Sequence, residues 1–295
     1  MLFQKSITEL ITQRYSCRSY RRERIAAETQ QCLQDFLIAL QAGPLGTPLR
    51  FKLIAASKDD RRALRGLGTY GFIRGAAGFI VGAAKPGGKY LEDFGYQMEA
   101  TILAATGLGL GTCWLGGSFT QSSFARRIEV ANDEIVPAVT AVGYAAEGSL
   151  YTNLSRRQVH ADRRLPWESL FFEAQPGAPL SAEAAGPYAL PLEMVRLAPS
   201  ASNKQPWRIV RAGSTWHFYL QRTPNYGPGS LVFNLMRLAD LQRVDMGIAM
   251  CHFEWTAREL GLKGCWEEMN PALKSLPQQP QYVVSWVESD KIGYN

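Results

Sequence analysis

The chain of 295 residues is 46% hydrophobic and 20% charged, a composition that argues against disorder and allows one large core or two smaller ones. Its longest charge-free apolar stretch, residues 75–84, falls well short of the roughly twenty residues of a membrane-spanning helix. The mixed polar start also lacks the apolar core of a secretory signal. We therefore expect a cytoplasmic protein that does not bind membranes.

The net charge of +6 allows a nucleic-acid partner, but the basic clusters at residues 61–65 and 156–164 are short and no nucleic-acid motif accompanies them. Basic residues that bind one phosphate group explain part of the charge equally well, so we predict no nucleic-acid partner. The five cysteines contain no C-x-x-C pair, which favours reduced, mostly structural thiols over a zinc site or a redox dithiol.

The first segment that carries chemistry is Arg14-Tyr-Ser-Cys-Arg18. In an extended stretch alternate side chains share one face, so Arg14, Ser16 and Arg18 would present two guanidiniums and a hydroxyl to one anion. A solvated basic segment explains the same pattern. The pattern alone does not decide between the two.

A long helix is predicted from about residue 93, with an acidic residue near its start, apolar positions every three or four residues and glycine at its end. It is followed by Gly109-Leu-Gly-Thr-Cys-Trp-Leu-Gly-Gly-Ser118, in which we predict that Cys113 and Trp114 lead into a loop. A Rossmann fingerprint is excluded because a helix, not a strand, precedes these glycines. The glycines instead permit close approach of the backbone to a flat ligand.

Residues 175–187 are rich in Pro, Ala and Gly, and we predict an exposed linker there between a first half, residues 1–174, and a second half, residues 188–295. A helical pattern then precedes Pro199-Ser-Ala-Ser-Asn-Lys-Gln-Pro-Trp207. We predict a helix-to-strand loop at this string, with hydroxyls, an amide and backbone NH groups available to a ligand.

Residues 93–114 recur without a gap at residues 245–266, where Asp, Gly, Met and Ala positions, a Leu-Gly-Leu run and a Cys-Trp pair coincide. An accidental match of that density is improbable. Proline opens a predicted strand at further corresponding places, Pro48 and Pro206, then Pro137 and Pro280. We therefore predict two tandem half-length α+β copies that form an intramolecular pseudo-dimer.

Together and in this order, the three strings resemble the nitroreductase family of FMN enzymes, and the doubled length resembles its monomeric, internally duplicated branch. The resemblance covers about Arg14 to Val287. It implies a nitroreductase-like fold with one FMN site, in which the first half supplies the phosphate and N5 elements and the second half supplies the Pro-Ser-Ala-Ser-Asn loop. In the first half, residues 43–48 stand where that loop would lie, so the pseudo-symmetric site is predicted to be inactive.

The resemblance also implies individual roles. Arg14 and Ser16 would hold the FMN phosphate, Arg18 would reach the pyrimidine edge of the ring, and the backbone NH of Gly116 would point at flavin N5. The other implied cofactor contacts are Trp114, Leu115, Gly117, Arg163, Arg164, Pro199, Ser200, Ser202 and Asn203. Arg163 or Arg164 would complete the phosphate site, although an exposed basic turn explains that pair nearly as well.

The implied activity is an NAD(P)H-dependent nitroreductase or flavin reductase, in which NADH or NADPH reduces FMN and a small electron-poor acceptor such as a nitroaromatic, a quinone or a flavin is then reduced in ping-pong fashion. Arg18 would stabilise negative charge on the reduced ring. Two alternatives stay open: other flavin chemistry, such as dehalogenation or flavin fragmentation, and a non-catalytic flavin sensor or store. We expect a monomer.

No side-chain nucleophile and no metal are expected, because the three histidines, His160, His217 and His252, show no triad or metal spacing and are predicted to be surface or structural residues. Tyr70, Phe72 and Tyr96 are candidates to shape the acceptor pocket, although core packing explains such aromatic residues as well.

Overall fold

The computed structural model describes residues 5–56, 62–117, 119–146, 148, 162–228, 239–269, 271 and 280–289. The first copy contains α1 (Ile7–Gln13), α2 (Ala27–Ala39), β1 (Leu49–Ala55), β2 (Gly78–Ala84), α3 (Tyr90–Gly107), β3 (Gly111–Leu115), α4 (Gln121–Arg127) and β4 (Val139–Gly143). Its strands form one antiparallel sheet in the order β1-β2-β4-β3.

The second copy contains β5 (Phe171–Glu173), α5 (Ala182–Ala185), α6 (Ala189–Leu197), β6 (Trp207–Ala212), β7 (Thr215–Leu220), α7 (Leu241–Glu259), β8 (Gly264–Glu267) and β9 (Gln281–Glu288). Its sheet has the order β5-β6-β7-β9-β8. Without the parallel edge strand β5, this order repeats that of the first sheet. The predicted α+β fold of two tandem copies is thus confirmed.

Cys113 and Trp114, predicted to lead into a loop, lie inside β3, which ends at Leu115, and the matching pair of the second copy lies inside β8. The preceding helices end alike: Gly109 and Gly261 take left-handed φ values of 76° and 73°. In both copies the next leucine NH donates to the carbonyl five residues back, at 2.9 Å. This cap turns the chain sharply, so the following residues extend and pair with β4 or β9.

Helices α3 and α7 pack against each other at the centre of the molecule and are buried along almost their whole length. A side chain at Gly95 would overlap the carbonyl oxygen of Val244, and one at Gly247 would overlap the carbonyl oxygen of Glu92. These contacts are reciprocal under the repeat, so the duplicated Asp-x-Gly marks the crossing of the helices. Neither they nor any other described helix has the length and apolar character needed to cross a bilayer.

The connection between the copies, residues 175–187, is mostly exposed, but two of its residues are buried. Leu180 and Ala185 are buried, and residues 182–185 form α5. Strand β5, which the predicted boundary assigns to the first half, pairs with β6 of the second sheet. Leu180 and Ala185 therefore pack into the core, and the predicted boundaries of the halves stay predictions.

Replacing Gly95 or Gly247 by alanine tests the close crossing of α3 and α7. Helix propensity alone predicts a gain of about 0.8–1 kcal/mol per substitution, whereas overpacking against backbone predicts a net loss of about 1–3 kcal/mol. Urea denaturation measures the free energy of unfolding. Gly107→Ala, at the exposed end of α3, is the control and should be neutral or stabilising. Equal stability of all three variants would contradict the close contact.

Candidate functional site

A cavity of about 880 Å³ is lined by residues of both copies. Twelve of the thirteen residues that the sequence predicts for the site lie on its wall: Arg14, Ser16, Arg18, Trp114, Leu115, Gly116, Gly117, Arg164, Pro199, Ser200, Ser202 and Asn203. Arg163 is not among the lining residues. The structure thus brings the three predicted segments together, although the role of each residue stays a prediction.

The segment that contains Arg14, Ser16 and Arg18 runs beside β3. Ser16 forms a parallel bridge with Thr112, and the NH of Cys17 donates to the Thr112 carbonyl at 2.8 Å. The Cys17 side chain is buried on the core side, while the three polar residues line the cavity. Pairing with β3 therefore fixes the alternation that an extended segment predicts.

A carboxylate that the sequence reasoning missed lies behind this wall. Glu99 of α3 is fully buried; its Oε2 accepts from Trp114 Nε1 at 2.7 Å, while its Oε1 lies 3.0 Å from His252 Nε2 and 3.6 Å from Arg14 Nε. Burial raises the pKa of Glu99, but the His252 hydrogen bond and the Arg14 charge outweigh it, so the pKa is lowered overall. The sequence did contain one sign of this buried carboxylate, namely a glutamate among the apolar positions of the predicted helix.

The loop at residues 199–205 holds an unusual backbone conformation. Ser202, Asn203 and Gln205 have φ values of 50°, 53° and 48°, which non-glycine residues rarely adopt. Ser200 Oγ accepts from the NH of Gln205 at 2.8 Å, and the NH of Ala201 donates to Asp245 Oδ1 at 2.9 Å. These bonds stabilise the strained loop, a feature that is common at ligand sites.

Arg163 and Arg164 support this loop in different ways. Arg163 contributes its backbone carbonyl, which accepts from Asn203 Nδ2 at 2.9 Å. Arg164 lines the cavity, and its Nη2 donates to the Leu197 carbonyl at 2.9 Å. Of the two arginines proposed for a phosphate site, Arg164 is the one whose side chain lines the cavity.

The two repeated aspartates differ in how their oxygens are used. In the first copy Asp93 accepts from the NH groups of Leu45 and Thr47, each at 2.8 Å, so both oxygens are bonded. In the second copy Asp245 lines the cavity and bonds Ala201, while its buried Oδ2 has no hydrogen-bond partner among the described residues. Burial holds the pKa of Asp245 well above its ordinary value.

Gly116 directly follows β3 and lies against Leu241, the first residue of α7. A Cβ there would lie 2.5 Å from Leu241 Cδ1, so only glycine allows this close approach without displacing Leu241. Leu241, Asp245 and Ile248 of α7 also line the cavity and were not predicted. Their spacing places them on one helical face, but the sequence does not reveal which face meets the cavity.

Of the aromatic candidates, Phe72 lines the cavity, Tyr70 is 67% exposed outside it, and Tyr96 is buried in the core. Tyr226 also lines the cavity. His217 and His252 are buried and hydrogen-bonded. Arg61, residues 156–157, His160 and Ser118 lie outside the described residues.

Comparison with known proteins identifies the class. The family model described as "Putative TM nitroreductase" matches residues 6–257, so the chain belongs to this nitroreductase family. No curated protein matches the chain. Family membership supports an oxidoreductase role.

A solved structure of full length has the same fold. The structure of a "putative nitroreductase" from Thermotoga maritima shares 20% identity over 96% of this chain and 94% of that one, with a TM-score of 0.61. A nitroreductase with bound FMN from Bacteroides fragilis shares 23% identity over 50% of this chain and 92% of that one, with a TM-score of 0.38. The Thermotoga likeness covers both copies and confirms the predicted nitroreductase-like fold.

Asparagine substitutions distinguish the two aspartates. At pH values between the ordinary pKa of an aspartate and the raised pKa of folded Asp245, the folded state binds more protons than the unfolded state. The free energy of unfolding therefore falls as the pH rises through this range. Asp245→Asn should therefore stabilise the protein more at pH 7 than near pH 4, as measured by urea denaturation at both pH values.

Asp93→Asn is the matched comparison. An amide NH₂ would face one of two backbone NH donors, so we expect a loss of about 1.5–3 kcal/mol at pH 7. An effect of Asp245→Asn that is the same at both pH values would contradict the raised pKa of Asp245, and a loss of stability that is larger at pH 7 than near pH 4 would show that this carboxylate is ionised and partnered in the folded protein.

Proposed function

We propose that this protein is an FMN-dependent oxidoreductase that uses NADH or NADPH to reduce electron-poor small molecules, such as nitroaromatics, quinones or flavins, by ping-pong hydride transfer. The observation that carries the proposal is the convergence of segments from both copies on one cavity. The arginine and serine segment and residues 114–117 come from the first copy, and residues 199–203 come from the second.

The chemistry of the cavity wall fits this cofactor. Among the described residues, the charged ones that line the cavity are three arginines, Arg14, Arg18 and Arg164, and two aspartates, Asp162 and Asp245. Guanidiniums bind phosphate through paired hydrogen bonds. Serine hydroxyls and the Asn203 amide add donors and acceptors, while apolar residues such as Leu115 and Ile248 offer surface to a ring. A ligand that combines an anionic group, a polar chain and a flat ring therefore matches these arginines, polar groups and apolar residues.

The proposed roles follow from position. Arg14 and Ser16 bind the phosphate, with Arg164 as the further cation on the wall. Arg18 lies next to Cys113, and its charge partly offsets the effect of burial, which raises the pKa of that thiol. The fixed positive charge of Arg18 stabilises negative charge on the pyrimidine edge of a bound ring.

The backbone NH of Gly116 donates a hydrogen bond to the ring at N5, and Trp114, Leu115 and Gly117 form the wall beside it. Pro199, Ser200, Ser202 and Asn203 hold the ring from the second copy. FMN, when bound, supplies the hydride chemistry. Phe72, Tyr226 and Leu241 contribute apolar surface that limits water around the reacting edge.

The direct test is the colour of the purified protein and its response to reductant. We expect yellow protein, or colourless protein that becomes yellow with added FMN, and anaerobic bleaching on addition of NADH or NADPH. Reoxidation by a nitroaromatic or a quinone completes the cycle. Protein that never retains FMN would overturn the proposal, whereas yellow protein that never bleaches would favour a flavin sensor or store.

Arg14→Ala should weaken FMN binding by about 1.5–3 kcal/mol, because it removes a charged hydrogen-bond donor from the phosphate. Fluorescence titration of the apoprotein with FMN measures the change in Kd. Arg21→Ala is the control, since the Arg21 side chain is 59% exposed and does not line the cavity. Unchanged affinity in Arg14→Ala would show that the phosphate lies elsewhere.

A further inference from the structure

A buried polar cluster behind the cavity wall joins the two copies. Glu99 of α3 receives Trp114 and Arg14 from its own copy and His252 from α7 of the other copy. The side chains of Glu99 and His252 are fully buried, and that of Arg14 is 7% exposed. Arg14 and Trp114 also line the cavity, whereas Glu99 and His252 do not. One carboxylate therefore supports two parts of the proposed cofactor site.

His252 has acceptors on both sides of its ring. Nδ1 lies 2.9 Å from the Met194 carbonyl oxygen, which can only accept, so Nδ1 is a donor. Nε2 lies 3.0 Å from Glu99 Oε1, and this contact is a hydrogen bond only when a proton lies between the two atoms. The ring is thus fixed between α6 and α3. His252 and Arg14 both contact the same oxygen of Glu99, Oε1.

A similar arrangement occurs in the second copy. Glu254 of α7 accepts from Trp266 Nε1 at 2.6 Å, from Tyr96 Oη at 2.8 Å and from Arg258 Nε at 2.7 Å. The repeat aligns Glu254 with Ile102, one helical turn beyond Glu99, so alignment of the two copies does not reveal the equivalence. The arginine of this cluster, Arg258, is 64% exposed, whereas Arg14 lines the cavity.

We propose that His252 is a positioning residue of the cofactor site: it holds Glu99 from the second copy and thereby fixes Trp114 and the charge of Arg14 at the cavity wall. This inference rests on the proposed function. A buried carboxylate that loses one donor is stabilised by its remaining cation. Without the His252 bond, Glu99 therefore attracts Arg14 more strongly and competes with the phosphate for the guanidinium.

Two amide substitutions separate the two ring nitrogens. In His252→Gln the side-chain amide nitrogen takes the position of Nε2 and still donates to Glu99. In His252→Asn the amide nitrogen takes the position of Nδ1, so the bond to Met194 is kept and the bond to Glu99 is lost. Both variants remove the imidazole and keep a polar amide. Tyr96→Phe is the matched control, because it removes a buried hydrogen bond to the equivalent carboxylate, Glu254, together with the bond that Tyr96 Oη accepts from Trp255 Nε1.

The readout is the Kd for FMN of each full-length apoprotein. We expect His252→Asn to raise Kd about tenfold, the equivalent of one buried hydrogen bond, and His252→Gln and Tyr96→Phe to change it by less than about threefold. Equal Kd values for His252→Asn and wild type would overturn the inference. So would equal weakening by the asparagine and glutamine variants.

A second readout does not require a ligand. The indole NH resonance of Trp114, assigned by its loss in Trp114→Phe, reports the bond to Glu99 in the apoprotein. It should shift in His252→Asn and stay in place in His252→Gln and Tyr96→Phe. If wild type binds no FMN, the proposed function fails, and this resonance alone decides whether His252 positions Glu99. An unshifted resonance in His252→Asn would then overturn the inference.

Discussion

The close crossing of α3 and α7 is the constraint on which the site depends. Gly95 and Gly247 each lie against a carbonyl of the opposite helix, so the two helices meet with no side chain between them at these points. This approach brings the start of α7 beside Gly116. It also places Asp245 where it accepts a hydrogen bond from the loop at residues 199–205. The cavity exists because two copies of one unit pack on each other at this distance.

The two copies keep the same architecture but differ where the chemistry is proposed. Each has a buried glutamate that holds the indole of its own Cys-Trp pair and contacts the opposite helix. In the first copy the third partner is Arg14 at the cavity, and in the second it is the exposed Arg258. In the loop at residues 43–48, backbone NH groups donate to both carboxylate oxygens of Asp93. The loop at residues 199–205 leaves one oxygen of Asp245 without a hydrogen-bond partner among the described residues.

Sequence predicted the parts of this protein that depend on local pattern. The repeat gave both long helices, and the prolines before β1 and β6 gave the starts of two strands. The sequence did not reveal the strand that contains each Cys-Trp pair, because strand pairing after a helix cap depends on a partner strand far along the chain. The sequence also did not reveal the contact between Glu99 and His252, because residues 153 positions apart meet only after the helices cross. Arg163 illustrates a third limit, because its backbone carbonyl, not its side chain, bonds the loop.

We propose that the duplicated chain builds one complete flavin site, shared by both copies. Titration of the apoprotein with FMN, followed by the change in flavin fluorescence, measures the number of sites per chain. We expect an end point at one FMN per chain, because the three predicted segments meet at one cavity wall. An end point at two would show that the pseudo-symmetric position also binds the cofactor and would contradict a single shared site.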